Sequence, residues 1–388
     1  MNVLLIHNFY NTTGGEDVVV KNEKSLLHKE GHSVHTFFVD NEKVVGVFRK
    51  IITAILVHYS PSMKKYVKNY LKNSSADIVH VHNFFPRITP SIFDSSRASN
   101  VPTVMTLHNY RIVCPTSLLM HQGEICEKSF YKSAYWAVPY KVYRNSYVGT
   151  FVLSHMIEYH KRKKTWQHKV DKFICLTDFS RNKFIQAGLP KDKLVVKPNF
   201  CEDPGYDSNI TRKAQCVYIG RLSEEKGINV LNEAWRRIKF PIQVIGEGDL
   251  IFSSSPFFCL KGRQNKEQVI QSIKISQFVV VPSVCYEGFP MAIVEAFACG
   301  TPVICSKLGS MEEIVTDGVT GLHFEAGNPK DLAEKVQWMV DNPAKAREMG
   351  RNARNEYLQK YTPERNYEML MDIYQQAIDE AKKGNRHE

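Results

Sequence analysis

The chain has 388 residues, 43% apolar and 23% charged. That is the usage of soluble globular proteins and too much length for one ordinary core, so two domains are expected. The net charge of +11 is uneven: residues 1–200 carry 28 Lys+Arg against 14 Asp+Glu, and the remainder 23 against 26, so all of the excess lies in the first half. Such asymmetry points to an anionic partner of that half: a membrane surface, a lipid phosphate or nucleic acid. No run reaches the roughly 18 uncharged apolar residues of a membrane span; the nearest, Val44 to Tyr59, is interrupted by Arg49 and Lys50. The first residues lack a basic segment followed by a long apolar one, so no secretory signal is expected. Nine cysteines without CxxC pairs suit reduced thiols in a cytosol. Cys114 and Cys126 are close enough in sequence to share a metal or a bridge, but no second close pair completes a zinc shell.

Short apolar runs alternate with amphipathic stretches, the pattern of strand–helix–strand units on parallel sheets. In the first half, strands are predicted at Asn2–His7, Ser33–Val39, Ile78–His82, Thr103–His108, Phe173–Leu176 and Leu194–Val196. A helix from Glu16 to Glu30 ends at Gly31, a good residue for a helix exit. Pro198 to Asp207 combines Pro, Gly and acidic residues without periodicity and is the expected hinge. The second half restarts with strands predicted at Cys216–Ile219, Gln243–Ile245, Phe258–Leu260, Phe278–Val281, Val303–Cys305 and Gly321–Phe324. From Pro329 to the end the pattern is helical, with Trp338, Met349, Tyr357, Tyr361, Tyr367 and Tyr374 among its apolar positions. Two open α/β domains facing one another make a cleft, and ligands of such sheets sit beyond the strand C-terminal ends.

The segment from Val281 to Val303 is the richest. A buried strand ends near Pro282, and a loop carrying Glu287, Gly288 and Phe289 follows. Pro290 stands where a first helical residue is expected, and Gly300 lies just past the helix end. Unpaired N–H groups at that helix start suit a phosphate. Glu287 would approach sugar hydroxyls, and Glu295, one to two turns into the helix, can accept two hydrogen bonds from a ribose diol. After the strand ending at Ile219 comes Gly220-Arg221-Leu222-Ser223-Glu224-Glu225-Lys226-Gly227. Arg221 and Lys226 suit a departing nucleoside diphosphate, whose growing charge two cations stabilise more in the transition state than in the ground state. Arg grips phosphate oxygens bidentately, and Lys adds a point charge.

The Glu287-x7-Glu295 spacing, the Glu-Gly-Phe-Pro loop, Ala-Cys-Gly-Thr-Pro-Val and Gly-Arg-Leu…Glu-Lys-Gly resemble the family 4 retaining glycosyltransferases of GT-B fold. The likeness covers nearly the whole chain and is most specific from Gly220 to Glu325. It implies two Rossmann-like domains facing a cleft: residues 1–198 on the acceptor side, residues 199–360 binding the nucleotide sugar, and a terminal helix at 361–388 crossing back to the first domain. It further implies that Arg221 and Lys226 bind the diphosphate, Glu287 the sugar and Glu295 the ribose, with no required metal or other cofactor. Gly246-Glu247-Gly248 resembles the family's turn near the nucleotide.

In the first half, Gly14-Gly15-Glu16 opens the first helix. Two glycines let backbone approach a ligand closely, and a helix N-terminus favours an anion. In the resembled family this loop lies over the donor phosphates, with its acid usually one residue further on. His108 ends a strand inside the expected cleft, and a similar family histidine implies contact with the transferred sugar. His82 and Asn83 end the preceding strand and are weaker candidates. No carboxylate has a spacing that demands the nucleophile of a double displacement; the resemblance implies same-face attack, with the leaving phosphate taking the acceptor proton.

Phe130 to Lys169 mixes Tyr131, Tyr135, Trp136, Tyr140, Tyr143, Tyr147 and Trp166 with the run Lys161-Arg162-Lys163-Lys164. Aromatics with cations suit a membrane interface and a lipid-linked acceptor. The expected protein is thus a cytosolic transferase at the inner membrane surface, moving a sugar from a nucleotide donor to a glycan or polyprenyl-diphosphate-linked acceptor in polysaccharide synthesis. A sugar-nucleotide epimerase of the same architecture would release no transfer product. A basic binding protein without catalysis is the third possibility, although no nucleic-acid module is present. A dehydrogenase would need a GxGxxG after the first strand, which is missing.

Overall fold

The computed structural model describes residues 1–9, 14–40, 47–248 and 256–384. They form two compact units. The first holds Met1–His121, Cys126–Lys197 and the chain from Tyr367 onward; the second holds Gln122–Ile125 and Pro198–Asn366.

The first unit is built on strands β1 (Asn2–Phe9), β2 (Ser33–Asp40), β3 (Ile78–Asn83) and β4 (Thr103–Leu107). In chain order β5 (Met120–His121) and β6 (Glu124–Ile125), the latter in the short stretch that belongs to the second unit, precede β7 (Lys172–Cys175) and β8 (Leu194–Val196). The main sheet is parallel in the order β2-β1-β3-β4-β7-β8. The terminal helix Pro363–Gly384 supplies Leu370, Ile373, Tyr374 and Ala377 to a core cluster with Val3, Leu5, Ile78, Val104 and Ile174. These four stand at helical spacing, so one apolar stripe covers one face of the sheet.

In the second unit β9 (Cys216–Ile219), β10 (Ile242–Ile245), β11 (Phe258–Gly262), β12 (Val279–Val281), β13 (Val303–Ser306) and β14 (Gly321–Phe324) run parallel in the order β11-β10-β9-β12-β13-β14. Apart from the exposed edge strand β11, both faces are largely buried, which explains why these strands read as mostly apolar runs. Val217, Val279 and Val281 pack beneath helix Met291–Ala298 with Tyr357, whereas Tyr218, Val280 and Ile304 face helix Ile228–Ala234 with Leu332 and Val336.

Every strand read from the sequence is present within one or two residues, and the first helix runs Gly15–Lys29. Strands β5 and β6 have two residues each and left no periodic signal. The apolar run at Val44 to Tyr59 contains helix Val47–Leu56, and residues 44–46 lie outside the described part. No helix among the described residues is long and apolar enough to cross a membrane. All nine cysteines are free thiols, Cys114 and Cys126 included. Of the apolar positions in the final helical stretch, Trp338 is 37% exposed.

Candidate functional site

In an open parallel sheet, the strand order reverses at one point, and the loops leaving the two strands there diverge to make a crevice. In the second unit that point lies between β9 and β12. The loop after β9 carries Gly220, Arg221 and Lys226, and the loop after β12 carries Glu287, Gly288, Phe289 and Pro290, so neighbouring strand ends bring the two motifs together. Their contact is close. Gly227 has φ +73°, and a Cβ there would lie 1.8 Å from the Pro282 carbonyl oxygen; Val284 N donates to Glu225 O across the same gap at 3.0 Å. Gly246, with φ +146°, faces the same demand on the other side. A Cβ on it would meet Gly220 O at 1.8 Å, and Leu222 N donates to Glu247 O at 2.9 Å. The Gly246-Glu247-Gly248 turn thus supports the Gly220–Leu222 loop through backbone.

Lys226 and Glu287 are bonded to one another. The ammonium donates to Oε1 at 2.6 Å and Oε2 at 2.9 Å, and Ser283 Oγ donates to Oε1 at 2.6 Å. Burial alone would lower the Lys226 pKa, but the adjacent carboxylate outweighs it and raises it above the ordinary value. Burial likewise works against the charged form of Glu287, and Lys226 with Ser283 overcomes it, holding the carboxyl below its usual range. Both groups are therefore ionised. Arg221 is 69% exposed, with Nη2 3.2 Å from Glu225 Oε1, and is the accessible cation of the loop.

Helix Met291–Ala298 begins one residue later than the sequence suggested. Pro290 is its N-cap rather than its first residue, and no side chain caps that end. Phe289 turns toward the core, its ring 6.0 Å from Tyr361 in an edge contact. Glu295 has no salt bridge or side-chain hydrogen bond among the described residues, and burial raises its carboxyl to about 7 against a weak opposing pull from Lys266. The far end of the helix is anchored by two arginines with no motif of their own. Arg212 donates to the carbonyls of Cys299 and Gly300, as well as Lys274 and Ser276. Arg354 donates to Ala298 O and pairs with Asp203. Cations on the terminal carbonyls complement the helix dipole and fix the element that carries Glu295.

The first unit also has its order reversal, between β1 and β3. Gly14 and Gly15 start the helix after β1, and a Cβ on either would meet nothing within 4 Å. Gly14 N donates to Asp17 Oδ2 at 2.9 Å, and Asp17 Oδ1 lies 2.8 Å from Nε2 of the fully buried His7. The acid that organises this loop is therefore Asp17, one residue beyond Glu16. Glu16 instead lines a pocket with His82, Asn83, Phe84, His108, Asn109 and Arg111. His108 follows β4 directly; its ring stacks on His82 at 5.3 Å, and Nε2 is 3.0 Å from His82 Nδ1. Burial, then the neighbouring His82, pushes the His108 pKa well below its ordinary value, so the ring is neutral. Asn83 is structural: its amide donates to Asn8 O at 2.9 Å and accepts from Phe85 N at 2.9 Å.

The aromatic and basic stretch divides. Trp166 is buried, its ring stacked on Phe84 and edge-on to Phe93, so it belongs to the core. Tyr131, Tyr140, Tyr147, Val148 and Phe151 are exposed, Tyr131 by 78%.

Two Rossmann-like units with charged and helix-end groups at their order reversals define a GT-B glycosyltransferase. The family described as "Glycosyltransferase Family 4" matches residues 13–203, and "Glycosyl transferases group 1" matches residues 256–356. The chain belongs to these glycosyltransferases, a family 4 domain followed by a group 1 domain. It is 25% identical to an uncharacterized glycosyltransferase of Methanocaldococcus jannaschii, over 98% of this chain and 99% of that one. It is 23% identical to the lipopolysaccharide 1,2-N-acetylglucosaminetransferase of Salmonella typhimurium, over 79% of this chain and 71% of that one. The solved structure of Anabaena HepE in complex with UDP shares the fold at TM-score 0.66 and 16% identity, covering 96% of this chain and 99% of that one.

Proposed function

We propose that this glycosyltransferase takes a sugar from a nucleoside-diphosphate donor bound by its second unit and transfers it with retention to a glycan or lipid-diphosphate-linked acceptor. The observation that carries this reading is the grouping of Lys226, Glu287 and Arg221 beside the uncapped start of helix Met291–Ala298, with Glu295 unpaired within it. As the glycosidic bond breaks, negative charge gathers on the departing diphosphate. Lys226, held in place by Glu287, together with Arg221 and the helix N–H groups, stabilises that charge. Glu287 contacts the sugar, and Glu295 accepts from the ribose hydroxyls. His108, being neutral, hydrogen-bonds the transferred sugar and takes no proton as a base. The acceptor attacks on the face the diphosphate leaves, and a phosphate oxygen receives its proton. No metal is assigned a role in this scheme. The UDP complex of the Anabaena protein and the lipopolysaccharide activity in the Salmonella relative's name support the donor and acceptor classes.

The exposed Tyr131, Tyr147, Val148 and Phe151, with Lys161 to Lys164, form the surface assigned to an anionic membrane on the cytoplasmic side. Thermal denaturation with UDP-, GDP-, ADP- and dTDP-sugars tests the donor. The matching one raises the melting temperature by mass action, and Arg221→Ala and Glu295→Ala abolish the rise. No rise with any of them in the wild type overturns the donor site. Replacing Lys161, Arg162, Lys163 and Lys164 with neutral residues is expected to weaken sedimentation with phosphatidylglycerol vesicles. Unchanged sedimentation removes the membrane surface and leaves the chemistry standing.

A further inference from the structure

Beneath the pocket of the first unit lies a carboxylate that the scheme above does not use. Glu23, from helix Gly15–Lys29, is 1% exposed; its Oε1 lies 3.0 Å from His80 Nδ1 and 3.1 Å from His82 Nε2. Lys197, itself 2% exposed, donates to Oε2 at 3.2 Å. A buried carboxylate persists as an anion only with such a partner. Burial opposes its charge, but Lys197 with His80 and His82 holds the group well below its ordinary range.

A carboxylate can only accept hydrogen bonds. If His82 Nε2 were bare, its lone pair would face Oε1 at 3.1 Å, and the two would repel. With a proton on Nε2 the same contact is electrostatically attractive, although it is too bent to count as a hydrogen bond. His82 is neutral, since burial and then His80 lower its pKa to about 3, so a proton on Nε2 leaves Nδ1 as an acceptor. The group 3.0 Å from that Nδ1 is His108 Nε2, which must then be the donor, and a neutral His108 has no second ring proton.

We propose that Glu23 and His82 are positioning residues that fix the tautomer of His108, so that it presents a bare Nδ1 to the pocket as an acceptor for a sugar hydroxyl. The hydroxyl rests on the function proposed above; the tautomer does not. A hydroxyl pointing its hydrogen at His108 is favoured, and a group offering only lone pairs is disfavoured, because it displaces water from the acceptor without replacing the hydrogen bond.

The rival arrangement inverts every proton. Glu23, His80 and His82 are the one cluster among the described residues that could hold a metal ion. A cation there would need His82 Nε2 bare, which puts the proton on Nδ1 and makes His108 Nε2 the acceptor and its Nδ1 the donor. The Lys197 ammonium, already on the same carboxylate, opposes a second cation. Both His80 nitrogens also have partners, Nδ1 at 2.7 Å from Tyr374 OH and Nε2 at 2.8 Å from Thr106 Oγ1.

Long-range proton–nitrogen NMR of the full chain labelled with ¹⁵N-histidine reads ring tautomers directly, with His108→Gln identifying the His108 signals. The expected result is a protonated Nε2 and a bare Nδ1 on His108. A protonated Nδ1 overturns the proposal, as does one equivalent of zinc in the purified protein by elemental analysis. Glu23→Gln with Lys197→Met removes both charges together and should leave His108 as a mixture of tautomers; an unchanged tautomer in that folded variant overturns the role of Glu23. Binding of UDP, GDP, ADP and dTDP by calorimetry separates the two readings. Retained tautomer without affinity for UDP, GDP, ADP or dTDP defeats the donor assignment alone, whereas affinity for one of the four with the inverted tautomer defeats this proposal alone.

Discussion

The two units place their candidate groups at the same topological position and build them from opposite materials. In the second, ionised side chains lie within one or two loops: Lys226 closes on Glu287, and Arg221 stands exposed beside it. In the first, a neutral histidine chain, His108 on His82, rests on a single buried ion pair between Glu23 and Lys197. The second arrangement is ready to meet a charge that develops during a reaction; the first holds a fixed pattern of donors and acceptors. On the function proposed above, one unit would stabilise charge and the other would orient hydroxyls.

The comparison breaks most visibly at Lys226. Lys226→Met leaves Glu287 a mostly buried carboxylate without its cation, a change that costs about 3 kcal/mol of stability by analogy with broken buried pairs. Loss of a transition-state cation is also expected to lower turnover of the matching nucleotide sugar by about 100-fold or more. The double variant Lys226→Met/Glu287→Gln should regain most of the stability, read by chemical denaturation, and none of the turnover. A double variant that recovers transfer would show the pair to be a structural brace.

The glycines sharpen the same contrast with a smaller effect. Gly227→Ala forces a side chain into a left-handed backbone and against the Pro282 carbonyl, at a cost of about 2–3 kcal/mol. Gly14→Ala has φ −107° and open space around the new methyl, so its stability should stay within about 0.5 kcal/mol of wild type. If turnover nevertheless falls in Gly14→Ala, the space beside that residue belongs to a ligand; if it does not, the loop is a plain helix start.

What could be read from the sequence follows the same division. Glu287, Glu295, Arg221 and Lys226 announced themselves because each sits in a short segment with punctuation around it: a strand end, a glycine turn, a proline before a helix. Their mutual bonding was not legible, since 61 positions separate Lys226 from Glu287 and only the sheet order makes β9 and β12 neighbours. Glu23 and Lys197 were invisible for the same reason, whereas Asp17 is the position to which the family offset of one residue beyond Glu16 already pointed. Glu23 looks like any polar position of an amphipathic helix, and its partner lies 174 residues away. Arg212 and Arg354 bond to carbonyls, which every residue possesses, so no spacing could betray them. The inner strands were the most legible part, because burial on both faces writes an apolar run directly into the sequence.

Glu295 gives the most pH-sensitive test. Its carboxyl is raised to about 7 by burial, against roughly 4.3 in an unfolded chain. Between those values the folded state binds the proton that the unfolded state has released, so stability falls as pH rises through this window and levels off above about 7. The full shift corresponds to about 3–4 kcal/mol, and partial solvent access reduces the expected penalty to about 2 kcal/mol. Glu295→Gln should therefore match wild type at pH 4, exceed it by that amount at pH 8, and be measurable by urea denaturation across the range. Nucleotide binding runs the other way, since only the ionised carboxylate can accept from both ribose hydroxyls. Wild-type affinity for the matching nucleotide should climb as pH passes through about 7, and the Gln variant should show a lower affinity with no such step. A stability difference that stays flat with pH would mean that Glu295 is ordinarily solvated, and the contrast between a charge-handling unit and a hydroxyl-orienting one would lose its ribose anchor.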